Sequence, residues 1–337
     1  VRLIVYILNL TPHGSLQAGG GQGMTVKNMN DFNKLEALCL GKRIYIQTHN
    51  FPDPDAIASV FGLQRLLALR GIPSVLCYDG KIDKLSASKM LEAFQIEMFP
   101  YEQLRLNMTE EDYVICVDAQ KHSGNITDFI GNEVACIDHH PTFVPIEYRY
   151  QDIRPTGACA TLIAQYYQQL SCKPDKRTAT ALLYGLKMDT LQFTRGVTEL
   201  DIEMFAFLFP LCDHETLAQL ERNNMEFRDL KAYGAAIENI EVYDKVGLSY
   251  LPFPCPDALI ASISDFILAL QEVEVSVVFS RREDGIKLSV RSENPAIHAG
   301  YLVQDALRGY GDGGGHATMA GGMIQEENIH LLGHYPK

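Results

Sequence analysis

The chain has 337 residues, 47% of them hydrophobic, enough for about two domains with ordinary cores. Acidic side chains outnumber basic ones by 42 to 29, which argues against a protein that grips long duplex nucleic acid by charge. A small phosphate-bearing substrate, served by a few local cations or metal ions, stays open. The apolar run at residues 3–10 is too short to span a membrane. Residues 1–28 read as a disordered leader or mis-set start, in preference to a secretion signal, and no later segment reaches transmembrane length. Residues 31–40 are helix-like, RIYIQ (43–47) is a strand, and THNFPDPD is a loop. Helical spacing over 55–70, a strand at 73–78 and a short helix at 86–94 follow. YVICVD (113–118) and VACID (134–138) are apolar runs of buried-strand length. Two helices are expected at 157–170 and 175–188, and helical pattern continues to about 240. EVSVVFSRR (274–282) and GIKLSVRS (285–292) flank an Asp-Gly turn and read as a hairpin. A helix over 296–308 and the glycine-dense GYGDGGGHATMAGGMI close the chain. Strands alternating with helices predict an α/β fold with a mostly parallel sheet.

Eight cysteines are present, none in a C-x-x-C pair and most in apolar runs. They read as buried free thiols of a reducing, cytoplasmic setting and offer no thiolate zinc site.

Four stretches concentrate chemistry. THNFPDPDA carries His49, Asp53 and Asp55; VICVDAQ carries Asp118; CIDHHP carries Asp138, His139 and His140; GLKMDTLQF carries Asp189. The first three directly follow strand candidates. In an open α/β sheet, residues past the carboxyl ends of parallel strands converge on one crevice. So many carboxylates in one place repel one another unless cations neutralise them. A mixed Asp/His set without thiolate points to Mn²⁺, ahead of Mg²⁺, Co²⁺ or Zn²⁺. Two ions sharing a carboxylate form a device for attacking phosphoryl groups. Taken singly each motif has a plainer reading: Asp-Pro is a loop former, Asp118 and Asp189 suit helix N-caps, and a His pair at a turn is usually solvated. Their joint appearance in order outweighs those readings.

Together these residues resemble the DHH phosphoesterase superfamily: the H-x-x-x-D-x-D loop from His49, the strand-end Asp118, the Asp-His-His triplet and the later Asp189. LSVRS (288–292) and GGGHATMAGG (313–322) are similar to the arginine and glycine motifs of the DHH-associated C-terminal domain, so the resemblance covers about residues 40–325. It implies a catalytic α/β domain over 29–225, a linker helix region at 226–240, and a smaller α/β substrate-binding domain over 241–337, with a cleft between them. It further implies two Mn²⁺ ions, with Mg²⁺ or Co²⁺ as substitutes. His49 and Asp53 would hold one, Asp55, His139 and Asp189 the other, and Asp118 would bridge them. Asp138 would orient a ligand, and His140 would serve as donor or general acid at the leaving phosphate. Gly313, Gly314, Gly315 and His316 would cradle a distal phosphate or nucleotide, and Arg291 would grip phosphate or stack on a base. Pro54 stands where many members have Gly, and RPTGACA (154–160) is less serine-rich than in many relatives and takes no firm role.

Length and charge set the chain apart from the superfamily's long single-strand exonucleases. Its glycine tail sets it apart from the family II pyrophosphatases, and SRRED (280–284) reads as a solvated charged turn. The absence of sensory and membrane segments sets it apart from the membrane-bound cyclic-dinucleotide enzymes. The resemblance is to the stand-alone, bifunctional oligoribonuclease branch. It implies hydrolysis of short oligoribonucleotides or dinucleotides such as pApA to mononucleotides, with 3′-phosphoadenosine 5′-phosphate as a second substrate. A cyclic-dinucleotide phosphodiesterase and an exopolyphosphatase-like hydrolase are the alternatives. A non-catalytic nucleotide-binding regulator is the alternative of another class. Short RNA or nucleotides are the expected partners, without long duplex or membrane, and relatives of this size suggest a homodimer.

Overall fold

The computed structural model describes residues 32–82, 84–222 and 225–332. The leader reading for residues 1–28 falls outside them. The chain divides between residues 224 and 225 into two compact units, each with its own cores.

The first unit opens with helix α1 (Phe32–Cys39), strand β1 (Ile44–Gln47), helix α2 (Pro54–Leu69), strand β2 (Ser74–Tyr78) and helix α3 (Leu85–Phe94). Strands β3 (Phe99–Pro100), β4 (Tyr113–Val117), β5 (Asn132–Asp138) and β6 (Tyr150–Ile153) follow. Helices α4 (Cys159–Gln169), α5 (Lys176–Asp189), α6 (Glu199–Leu208) and α7 (His214–Arg222) complete it. The six strands pair in parallel in the order β3-β2-β1-β4-β5-β6. β1 is buried throughout, and β4 and β5 nearly so, which is why they read as continuous apolar runs. The order reverses between β1 and β4, and ligands bind at such a switch point.

α2 starts cleanly because Asp53 caps it and Pro54 fits its first turn. It is buried on most of its surface, since α5 and α4 both pack on it. Glycine makes the α2–α5 approach possible: a Cβ on Gly185 would lie 2.7 Å from the Ala58 Cβ and 3.1 Å from the Asp55 Cα.

The second unit holds helix α8 (Asp229–Glu238), strands β7 (Glu241–Tyr243) and β8 (Val246–Leu251), helix α9 (Asp257–Leu268), strands β9 (Val275–Arg282) and β10 (Gly285–Ser292), helix α10 (Ala299–Leu307), and strands β11 (Asp312–Gly315) and β12 (Met319–Gln325). Its sheet runs β11-β12-β10-β9-β8-β7, antiparallel except between β8 and β9. Alternation along β9 sends Val275 and Val277 into a core with α10, and Val278 into a core with α8 and α9. The helix at 229–238 therefore packs into this unit.

The glycine-dense tail forms a strand pair, β11 with β12. Glycine is required because α10 lies against it: a Cβ on Gly322 would sit 2.3 Å from Leu307 and one on Gly313 2.5 Å from Val303. The arginines of SRRED end β9, Arg281 paired with Glu326 and Arg282 with Asp257, and Glu283 and Asp284 form the exposed charged turn.

All eight cysteines are free; seven are buried and Cys172 is half-buried. Among the described residues no helix is long and apolar enough to cross a membrane.

Candidate metal centre

The carboxyl ends of β1, β4 and β5 and the last residue of α5 meet in one place. His49 follows β1, Asp53 and Asp55 open α2, Asp138 ends β5 with His139 and His140 behind it, and Asp189 ends α5. Asp118 follows β4 at φ 60°, in the left-handed region that non-glycine residues rarely occupy. Neither Asp118 nor Asp189 caps a helix N-terminus, so the plain reading of each fails. Asp53 does cap one, its Oδ1 accepting from the amides of Asp55 at 3.1 Å and Ala56 at 3.2 Å.

Asp118 stands at the middle. Its Oδ2 lies 3.5 Å from His49 Nε2 and its Oδ1 3.3 Å from His139 Nε2. His139 Nε2 is also 3.4 Å from Asp189 Oδ2, and His49 Nε2 is 3.9 Å from Asp53 Oδ1. Two sets of donor atoms, His49–Asp53–Asp118 and Asp55–His139–Asp189, each gather within 4.8 Å. A third set joins Asp118, His139 and His140. The six candidate ligands thus come together as two sets around a shared carboxylate.

The imidazoles are aimed by the backbone. His49 Nδ1 lies 2.8 Å from the Asn50 carbonyl and His139 Nδ1 2.9 Å from the Thr156 carbonyl. A carbonyl only accepts, so Nδ1 carries the proton and Nε2 faces the carboxylates, the arrangement of a metal-ligating histidine. Asp55 is fixed by the first amides of α4, accepting from Cys159 at 2.7 Å and Ala160 at 2.9 Å.

Charges are under tension. Burial, with Asp118 and Asp189 nearby, pushes the Asp55 carboxyl well above the usual range. Burial, with Asp53 nearby, pushes Asp189 up to about 6. Its place at a helix C-terminus is also wrong for an anion. Burial would raise Asp118 too, but the His139 and His49 rings hold it down at about 2. Burial alone would lower those two imidazoles; their carboxylate neighbours override it and hold both well above their ordinary value. Protons here do the work of cations. The Asp118 Oδ1 is buried without a hydrogen-bond partner. That orphaned oxygen, two Nε2 atoms and a surplus of carboxylate fit divalent cations that take oxygen and imidazole.

Asp138 serves His140. Its Oδ1 is 2.8 Å from His140 Nδ1, and it also accepts from the backbone amide of His139 at 2.8 Å. The His139 ring itself is oriented by Thr156, not by Asp138. Burial tends to lower the pKa of His140, and Asp138 with Asp118 raises it above the usual value. Sequence reasoning missed three neighbours. Gln120 donates to Asp138 Oδ2 at 2.8 Å, Arg195 donates to the Asp189 carbonyl at 2.6 Å, and Lys84 Nζ lies 3.6 Å from Asp53. A glutamine, an arginine or a lysine near a motif carries no signal of its own. Gln120, two positions past Asp118, was the most findable.

The other candidates lie in the second unit. Arg291 pairs with Met319 of β12, and Gly315 with the next residue, Ala320, so both sit at one end of the sheet. Arg291 Nε is 2.6 Å from Asp265 Oδ1 and its Nη1 donates to Ser289 Oγ at 3.0 Å. Gly313 and Gly314 pair with Gly322 and Gly321, and the His316 amide donates to the Met319 carbonyl at 2.7 Å.

Residues 43–186 match the DHH family N-terminal domain and residues 245–332 match the DHHA1 domain. The chain belongs to the DHH superfamily. It is 30% identical to an uncharacterised protein of Methanocaldococcus jannaschii over 83% of this chain and 58% of that protein. It is 26% identical to the cyclic-di-AMP phosphodiesterase GdpP of Geobacillus thermodenitrificans over 87% of this chain and 46% of that one. The chain thus spans about half the length of these two relatives. It is 25% identical to the bifunctional oligoribonuclease and PAP phosphatase NrnA of Thermus thermophilus, over 84% of each. The fold matches that of an exopolyphosphatase-related protein of Bacteroides fragilis, with a TM-score of 0.72, 19% identity, and coverage of 89% of this chain and 93% of that one.

Proposed function

We propose that the chain is a two-metal phosphoesterase that hydrolyses short oligoribonucleotides or dinucleotides such as pApA to mononucleotides. 3′-Phosphoadenosine 5′-phosphate is the proposed second substrate. The observation that carries this reading is Asp118: one buried carboxylate facing a His/Asp set with each oxygen. His49 and Asp53 would hold one ion, Asp55, His139 and Asp189 the other, with Asp118 shared; Mn²⁺ suits the mixed donors, and Mg²⁺ or Co²⁺ could substitute. Bound there, two divalent ions supply a water of lowered pKa and neutralise charge on phosphoryl oxygens.

The chain's own residues do the rest. Asp138 holds the His140 ring and favours its protonated form, so His140 donates a proton to the leaving oxygen. Gln120 fixes Asp138 in turn. Arg291, its plane set by Asp265 and Ser289, contacts phosphate, and the backbone from Gly313 to His316 cradles a distal phosphate or nucleotide. The likeness to NrnA over most of both chains supports the short-oligonucleotide substrate. Likeness to GdpP supports a second reading, hydrolysis of cyclic dinucleotides. Seven buried free thiols suit a reducing cytoplasm.

Product analysis by chromatography tests the proposal. Metal-stripped protein is incubated with pApA, with and without Mn²⁺, beside the Asp189→Ala variant. The expected result is Mn²⁺-dependent AMP, absent in the variant. No AMP from folded, metal-loaded protein, with cyclic di-AMP consumed in a parallel incubation, would replace the first substrate with the second.

A further inference from the structure

A second polar pocket of about 260 Å³ lies in the first unit. Phe61 and Arg65 of α2, Ser74 at the start of β2, Glu97, Phe99 of β3 and Arg177 in the first turn of α5 line it. α2 and α5 run antiparallel from this pocket to the metal centre, where Asp53 caps one and Asp189 ends the other. At 1.5 Å rise per residue, each helix puts roughly 18 Å between its arginine and its aspartate. The pocket is therefore separate from the metal ligands.

Its donors are incompletely used. Arg65 Nε and Ser74 Oγ are buried without hydrogen-bond partners. Arg65 Nη2 is tied to Asp175 at 2.9 Å, which fixes the guanidinium in place. The Arg177 guanidinium lies over the Phe61 ring, 5.4 Å from its centroid, and forms no ion pair among the described residues. Arg65 Nε and Ser74 Oγ are shielded from solvent, so an acceptor entering the pocket meets instead the accessible parts of the half-buried Arg65 and Arg177 side chains. Two guanidinium groups match the several acceptors of a tetrahedral oxyanion. Glu97 on the same wall opposes a polyanion. Phe99, 38% exposed, offers a ring to an organic substituent.

We infer that this pocket binds a single phosphate group, free or as the monoester of a small molecule. The test is equilibrium binding of inorganic phosphate and of AMP, by calorimetry, to the metal-free full chain carrying Arg291→Gln, which removes the phosphate contact proposed in the second unit. This background is expected to show one saturable site. Arg177→Gln should weaken it about tenfold or more, since a charge-assisted contact is lost. Arg65→Gln should weaken it several-fold, and carries the test if Arg177→Gln fails to fold by circular dichroism. Asp189→Asn should leave it unchanged. Tighter AMP than phosphate assigns a monoester; equal or weaker AMP assigns free phosphate. No saturable binding of either probe would overturn the inference. So would binding that survives both pocket variants, or that only Asp189→Asn abolishes.

Discussion

Asp118, Asp55, Asp189, His49 and His139 crowd into adjoining donor sets, and their proton affinities are set by burial and by one another. His49, His139, Asp55 and Asp189 are all raised in the metal-free protein, so each must shed its proton more reluctantly than a free group before it binds a cation. Metal affinity should therefore climb with pH through the neutral range, and binding near pH 6 should release protons. Calorimetry in buffers of different ionisation enthalpy measures both; affinity independent of pH between 6 and 8 would contradict it. Asp138→Asn isolates a second residue. The hydrogen bond from His140 to Asp138 helps to raise the ring's pKa, and a general acid loses function as pH rises through its own pKa. In the variant the alkaline fall in kcat should move to lower pH, and kcat should drop about 10²-fold or more. An unmoved alkaline limb would remove His140 from the acid role.

Helices α2 and α5 carry ligands at adjoining ends, so their approach sets the metal centre's dimensions. Gly185→Ala would press a methyl against Ala58 and the backbone of Asp55 and Pro54. The expected cost is about 1–3 kcal/mol of stability by urea titration, as for other overpacked sites, together with weaker Mn²⁺ binding. The elements around this pair were the legible ones. β1, β4 and β5 are buried apolar runs, and the ligands follow their ends, so both fold and site could be read from residue order. β6 could not, because YQDI is short and buries Asp152, which pairs with Arg154 at 2.6 Å. β11 and β12 carry their information in absent side chains: glycine gives no period-2 pattern, and its need arises from α10 lying against Gly313 and Gly322 and from the β12 backbone closing on Gly315. The backbone carbonyls of Asn50 and Thr156 that aim the imidazoles have no sequence signature at all.

The whole chain distributes its proposed roles unevenly. Every candidate metal ligand lies before residue 224, and Arg291 with the glycine strands lies after it. Each unit has its own apolar cores, so a chain ending at residue 224 should fold and bind Mn²⁺ with near full-length affinity. The proposed hydrolysis of pApA should fall roughly 100-fold or more, because binding energy from the distal part of a substrate is spent on the chemical step. Equal turnover by the truncated and full chains would show that the second unit contributes no substrate contact. The cysteines divide along the same line: six of the buried thiols belong to the first unit, and Cys255 is the only cysteine beyond residue 224. In native conditions an alkylating reagent should mark Cys172 first, and the buried positions only as the structure around them opens. Mass spectrometry of labelled peptides at rising urea would then time the unfolding of each unit separately, with Cys255 as the clock for one and the other six for its neighbour.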